Sequence, residues 1–328
     1  MLRVAEIMLE DAGVAAPALT TVSKFVAEQE QAQLQRSLGR IEPRSRFKYK
    51  SGHPLHEGRK LSQVFVDECG IPGPQPGVEN GTFALGAVAF QDEDIGAYCE
   101  RADEIKLEFF GTASMTFHEP PMRNFDGAYY FDGDRAKQVR FDESIDRLVD
   151  ETPMLVFGAG VRKNGFRDLF LATGLDAYLP ADVYSLAITL LLERYVDFMA
   201  MVNVGRMGRV TFESQGPKED ALHQLEYARL LLGGTQWVPP SAFQQTIEPG
   251  ARFVPKSGSH PTELADMFAR DLFEWVRQGC TGDPKRWSRF SPKIYGRGNR
   301  SMGTFGVKVF PDSDIRERVE RHRMVSGN

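Results

Sequence analysis

Leu61-Ser-Gln-Val-Phe-Val-Asp-Glu-Cys-Gly70 decides how the rest of this chain reads. Val64, Phe65 and Val66 form a short apolar run with β-branched residues, the pattern of a strand buried on both faces. The run ends in two carboxylates, Asp67 and Glu68, and Gly70, Pro72, Gly73 and Pro74 then break regular structure. A central strand that delivers acidic side chains at its end suits a hard divalent cation, which wants oxygen ligands on a rigid element. The plain alternative is a strand that runs into a solvated acidic turn.

Outward from that stretch, composition sets the frame. At 328 residues the chain has room for one elaborated domain or two. Its 41% apolar and 26% charged residues are those of an ordinary globular protein. A net charge of −5 gives no global attraction to nucleic acid, so such binding would need local basic patches. Three widely spaced cysteines, Cys69, Cys99 and Cys280, argue against a disulfide framework or a zinc site. Glu6, Glu10 and Asp11 do not suit a secretory signal, and the apolar run Leu186–Leu192 is too short to span a bilayer. A soluble cytoplasmic protein, with no membrane partner, is the expectation.

Two short helices are expected near the N-terminus, over residues 4–9 and 21–38. Between Arg36 and Lys60 basic residues dominate, with Phe47 and Tyr49 among them, as in an arm that tracks a phosphate backbone or a solvated connector. Thr82–Phe90 reads as a second strand, antiparallel to the first through a Gly/Pro loop. Residues 93–104 and 142–149 read as helices, and 115–118 and 154–161 as strands. Pro180 opens a long helix with Val183, Leu186, Ala187, Leu190 and Leu191 on its apolar face. Arg209–Glu213 reads as a strand, 220–232 as a helix stopped by Gly233 and Gly234, 252–254 as a short strand, and 261–278 as the last helix. This mixture implies a layered α/β or α+β domain without internal repeats.

Three carboxylate positions stand out. Asp67 with Glu68 ends one strand and Glu213 ends another, so neighbouring strands would bring Asp67 and Glu213 to one sheet edge. Asp266 sits one turn into the last helix beside Leu264, Met267 and Phe268, at the border of the apolar stripe. It either points along the same edge or joins Glu263, Arg270 and Glu274 on a solvated face.

Asp67-Glu-Cys-Gly70, the Phe83-Ala-Leu-Gly-Ala-Val88 strand and Glu263-Leu-Ala-Asp-Met-Phe-Ala269, in that order, resemble the family called domain of unknown function 3800. That family has an Asp-Glu-Ser-Gly strand end and a Leu-Ala-Asp signature in its last helix. Glu213-Ser-Gln-Gly-Pro-Lys-Glu-Asp220 resembles its middle acidic element. Cys69 departs from the usual Ser, and the middle acid is a single Glu213 before Ser214. The resemblance covers about Leu61 to Gln278 and implies an α/β, ribonuclease H-like mixed sheet flanked by helices. It leaves both ends unexplained, and the layout expected is a 1–60 helical and basic N-terminal extension, a 61–279 ribonuclease H-like core, and a 280–328 basic C-terminal extension.

In such nucleases strand-end acids and a helical Asp hold Mg2+ or Mn2+ for phosphodiester hydrolysis. The resemblance gives the metal-ligand role to Asp67, Glu213 and Asp266, with Glu68, Glu219 or Asp220 as additional ligands. Crowded carboxylates raise one another's pKa, so metal affinity should fall as pH drops. His118, in Phe117-His-Glu-Pro-Pro121, either positions a water or phosphate or is a structural histidine before a turn. His260 reads as a helix cap, and Lys218 as a phosphate contact or a surface ion pair. Gly158 and Gly160 lack the rest of a dinucleotide fingerprint, and no phosphate-loop Lys, Gly-x-Ser-x-Gly or His-Glu-x-x-His pattern occurs. A second basic stretch, Lys285, Arg286, Arg289, Lys293, Arg297 and Arg300 with Trp287, Phe290 and Tyr295, would flank the acidic site and meet a nucleic-acid strand (RNA or DNA). Two functions follow: a metal-dependent nuclease, or a non-catalytic module of the same fold that binds nucleic acid or a partner protein.

Overall fold

In the computed structural model, which describes residues 63–73, 81–171, 180–202, 207–235, 237–256, 259–296 and 306–311, the apolar run becomes β1 (Gln63–Cys69). Gly70, at φ +95°, ends it, and a Cβ there would lie 2.6 Å from the Thr82 carbonyl oxygen. The other strands are β2 (Thr82–Phe90), β3 (Leu155–Arg162), β4 (Arg209–Glu213), β5 (Arg252–Val254) and β6 (Val307–Phe310). They form one sheet in the order β5-β4-β1-β2-β3-β6. β1, β2 and β3 make an antiparallel meander. β4 joins β1 in parallel, β5 joins β4 in parallel, and β6 lies parallel to β3. The expected mixed sheet flanked by helices is present.

β2 is buried along all nine residues because helices cover both faces. On one face lie α5 (Pro180–Val202), α6 (Pro217–Gly233) and α7 (Pro240–Thr246). Their apolar residues pack on Val64, Val66, Leu85, Phe157, Val210 and Phe212. On the other lie α1 (Asp92–Phe110), α3 (Arg135–Glu151), α8 (His260–Arg277) and α9 (Trp287–Phe290). Phe65, Ala84, Val88, Phe141, Leu148, Phe268 and Leu272 fill that layer. Two more α-helices, α2 (Pro121–Asn124) and α4 (Lys163–Leu171), complete the α-helical set among the described residues, beside 3-10 turns at Gly127–Gly133 and Ser291–Lys293.

α8 lies close on the sheet because three glycines make room for it. An ideal Cβ on Gly86 would meet the Ala269 nitrogen at 2.6 Å and its Cα at 2.7 Å. Cβ atoms on Gly158 and Gly160 would meet Leu272 Cδ2 at 2.5 Å and Val276 Cγ2 at 2.6 Å. Gly158 and Gly160, which lack the rest of a dinucleotide fingerprint, form with Gly86 the track of a helix. Gly86 is the β2 partner of Asp67, and Asp266 precedes Ala269 by one turn, so the close approach sets how near the helical acid comes to the strand acid. Gly86→Ala is expected to cost about 1–3 kcal/mol by overpacking, because helix backbone cannot give way as a side-chain tip can. Chemical denaturation reads the loss.

Several expectations change. Residues 115–118 form no strand but a segment without regular structure, held against α8 through His118 and Glu119. The described part of 280–328 enters the core instead of trailing from it: Trp287, Phe290, Ile294 and Tyr295 are buried and β6 widens the sheet. Aromatic residues interleaved with the basic ones are the reason, since they form one face of a packed segment. The expected helices at 4–9 and 21–38, the basic run 36–60, and Arg297 and Arg300 lie outside the described residues. No helix among the described residues is long and apolar enough to cross a membrane.

The face opposite α8 holds a buried histidine. His223 on α6 stacks on Tyr184 with ring centroids 4.1 Å apart, and Phe212 and Phe253 lie 6.0 and 6.3 Å away. Its Nδ1 is buried without a hydrogen-bond partner among the described residues. Burial pushes its pKa down to about 4, although the charges of Asp220 and Glu219 act in the opposite direction. Between the unfolded value of about 6.5 and that folded value the unfolded chain binds the extra proton, so this residue's contribution to stability falls as pH falls. The full loss is about 3 kcal/mol by the pKa difference. Comparing urea midpoints of wild type and His223→Phe from pH 7 to pH 4 isolates it: the variant should keep the part of its stability that wild type loses.

Candidate metal centre

β1 and β4 run parallel with Val66 paired to Phe212, so the next residues, Asp67 within β1 and Glu213 at the end of β4, follow side by side. Strand alternation puts both on the α8 face, since Phe65 packs in that layer while Val66 and Phe212 pack in the other. Asp266 comes down from α8 beside them. All three are buried, at 5%, 6% and 7% exposure, which is unusual for carboxylates without full pairing. Burial, then the charges of Asp266 and Glu213, hold the Asp67 carboxyl well above its ordinary range. Burial raises Glu213 too, offset by Lys256 and reinforced by Asp266. The three acids that sequence singled out therefore share one electrostatic environment.

Glu68 belongs to its edge. Alternation turns it toward the opposite face, yet burial and the Glu213 charge push it up to about 8, with Lys256 acting against them. Its main-chain N–H donates to Asp67 Oδ1 at 2.8 Å. The other two acids named as ligands are not among the charges that raise Asp67 or Glu213. Asp220 accepts from Ser214 Oγ at 2.6 Å and from the Gln215 N–H at 3.0 Å, which ties the turn between β4 and α6. Glu219 is exposed on the first turn of α6.

His118 reaches the cluster from the segment between α1 and α2. Its Nδ1 lies 2.9 Å from Asp266 Oδ2, and the Glu119 N–H donates to the same oxygen at 2.9 Å. The imidazole is 37% exposed, so its outer edge is open to a ligand. Cys69 is also near, but burial pushes its thiol up to about 12 despite the Arg270 guanidinium, so it stays a neutral thiol.

Sequence reasoning missed Lys256. Its Nζ lies 3.3 Å from Glu213 Oε1, and Glu213, Asp266 and Asp67 together raise its pKa. It follows a strand of three residues, too short to announce a site. His260 does not cap α8, whose N-cap is Ser259. Its ring lies between Asp103 Oδ1 at 2.6 Å and Lys106 Nζ at 3.4 Å.

The described members of the C-terminal basic stretch are already paired. Arg286 is buried, with Glu119 Oε1 at 3.2 Å, Asp146 Oδ1 at 3.1 Å and Asp142 also bonded. Arg289 pairs with Asp150 at 2.6 Å, Lys285 with Asp142 at 2.7 Å, and Lys293 donates to the Asp150 and Thr152 carbonyls. These charges hold α9 and its flanks to α3 and are not a surface that awaits a phosphate backbone.

The donor set at this edge is hard in character. Carboxylate oxygens dominate it, they are pushed toward protonation by one another, and an ammonium group already leans on one of them. That suits a hard cation. Among the described residues no three His, Cys, Asp or Glu side chains are drawn close enough to form a finished metal shell. Asp266 is turned to His118 and Glu213 to Lys256.

No family model matches the sequence, and no curated protein sequence matches it. Among solved structures the chain is similar to Bst-RNase HIII in complex with Mn2+, at 14% identity and a TM-score of 0.36, over 75% of this chain and 62% of that one. It is also similar to a glutamine-to-alanine mutant of Bst-RNase HIII, at 15% identity and a TM-score of 0.35, over 84% and 70%. The chain thus spans under two thirds of the first of these. The fold is a mixed six-stranded sheet flanked by helices, in the order β5-β4-β1-β2-β3-β6.

Proposed function

We propose that this protein is a divalent-metal-dependent phosphodiesterase acting on nucleic acid, with Asp67, Glu213 and Asp266 as the residues that hold Mg2+ or Mn2+. The observation that carries the reading is that three buried carboxylates, two from neighbouring strands and one from a helix, lie near enough for the charges of Asp266 and Glu213 to add to burial in raising Asp67. Such an arrangement is costly without a compensating cation. When bound, a divalent cation supplies Lewis-acid stabilisation of the charge that builds on the phosphoryl oxygens. Asp67 provides the most rigid oxygen, on the central strand. His118, fixed through Nδ1, turns its open edge toward a water or a phosphate. Glu68 lies at the same edge, where burial and the Glu213 charge keep its carboxyl largely protonated near neutral pH.

One observation favours a second reading. Lys256 already neutralises part of the cluster, which is what a non-catalytic module that binds nucleic acid or a partner protein would keep after losing its metal. Cleavage of labelled RNA, DNA and hybrid strands, with Mg2+ or Mn2+ and then with chelator, separates the two. The nuclease reading expects cleavage that disappears on chelation and returns with metal. Cleavage that ignores the chelator would sink it, and no cleavage together with no metal-induced rise in melting temperature would leave the binding module.

A further inference from the structure

The segment that carries His118 has no regular secondary structure, yet its main chain is tied down at successive groups. The Tyr129 hydroxyl donates to the Thr116 carbonyl and accepts from the His118 N–H. The Phe117 N–H reaches the Glu263 carboxylate, the His118 carbonyl accepts from the Met122 N–H, and the Glu119 N–H donates to Asp266. Glu263 and Asp266 are one turn apart on α8, so alternate amides of the segment run along adjacent acids of the helix.

The Glu119 side chain turns the other way, into the core. Oε1 faces Arg286 Nη1 at 3.2 Å and Oε2 accepts from Arg123 Nε at 3.1 Å. Both arginines continue to Asp271: Arg123 Nη2 bonds Oδ1, and the Arg286 main-chain N–H donates to Oδ2 at 2.9 Å. Asp271 is on α8, five residues beyond Asp266, and is fully buried. The segment is therefore strapped to α8 twice, by its main chain at Asp266 and by the Glu119 side chain at Asp271. Among the described residues both hydrogen bonds to Asp266 fall on one oxygen, Oδ2.

Building on the metal-centre reading above, we infer that Glu119, clamped by Arg123 and Arg286, is a positioning residue for Asp266. The clamp fixes the 117–119 main chain, the Glu119 N–H and the His118 ring commit Oδ2, and Oδ1 is kept for the cation. Partners of this kind set the orientation of the ligating oxygen, and their loss typically lowers metal affinity about 10–100-fold. A purely structural ion pair would lower stability and leave the affinity of the folded protein unchanged.

The test uses the full chain, Mn2+ alone as probe, and Glu119→Gln, which keeps shape and removes charge. Calorimetric titration should show Mn2+ binding weakened about 10-fold or more, with no further weakening when Glu119→Gln is added to Asp266→Asn. In metal-free protein the amides of residues 117 and 119 should exchange faster than in wild type while sheet-facing α8 amides do not change. Unchanged Mn2+ affinity, or the same loss in the Asp266→Asn background, overturns the inference. Wild type that binds no Mn2+ refutes the metal-centre reading, and exchange then decides the positioning alone: unaltered exchange at residue 119 overturns it and faster exchange supports it. Should Glu119→Gln fail to fold, Arg123→Gln removes one arm of the clamp at a side chain only 15% exposed and is judged by the same comparisons.

Discussion

Asp67→Asn should abolish metal-dependent cleavage and at the same time raise the melting temperature of the metal-free protein. The amide keeps the shape of the side chain and removes the charge that burial, Asp266 and Glu213 all disfavour. An acid whose folded pKa lies above its unfolded value binds more protons when folded, so at neutral pH its ionised form counts against the fold. Relief of that repulsion is worth about 0.5–2 kcal/mol, or about 2–4 °C per kcal/mol for a core of this size. Mg2+ should raise the wild-type melting temperature and leave the variant's unmoved. A variant as active as wild type would remove Asp67 from the site, and a lowered melting temperature would mean that the cluster is compensated in the apo-protein.

Arg286→Ala is expected to cost about 3–5 kcal/mol, because it removes a fully buried cation that three acids share and leaves the buried Glu119 with Arg123 alone. The side chain is 1% exposed and serves Glu119, Asp142 and Asp146 at once. Glu119 would keep only Arg123, and burial already raises its pKa despite both arginines. A loss of that size is a large share of the roughly 5–15 kcal/mol that holds a typical domain. Guanidinium denaturation of wild type, Arg286→Ala and Arg286→Lys should rank them in the order wild type, Lys, Ala, since an ammonium keeps the charge but not the fork that meets several carboxylates. A midpoint for Arg286→Ala within about 1 kcal/mol of wild type, the range of exposed ion pairs, would mean the network is not buried in solution.

These two residues also mark what sequence could and could not tell. Asp67 and Glu213 were legible because each ends an apolar strand run, and a strand's period of two leaves little freedom in where the last side chain points. Asp266 was half legible: its place at the edge of the α8 stripe allowed the site or the solvent, and only the Gly86–Ala269 approach decides it. His118 and Glu119 act across 148 and 147 positions of chain to Asp266, and Lys256 comes from a loop, so no local pattern announces them. The C-terminal basic stretch misled because the sign of a charge does not show whether it is already paired. A signal was present, since Asp142, Asp146 and Asp150 repeat every fourth residue on α3 and form an acidic stripe. That stripe is where Lys285, Arg286 and Arg289 land. Short elements such as α9 and β6 had too few residues for a period to emerge.

The central claim is that Asp67, Glu213 and Asp266 hold one divalent centre, and anomalous diffraction from crystals soaked in Mn2+ tests it most directly. The account predicts an anomalous peak within about 2.0–2.5 Å of oxygens from all three side chains, with Lys256 displaced from Glu213 and Asp266 Oδ2 still held by the Glu119 N–H. No peak at saturating Mn2+, or a peak elsewhere while Lys256 stays on Glu213, would contradict it.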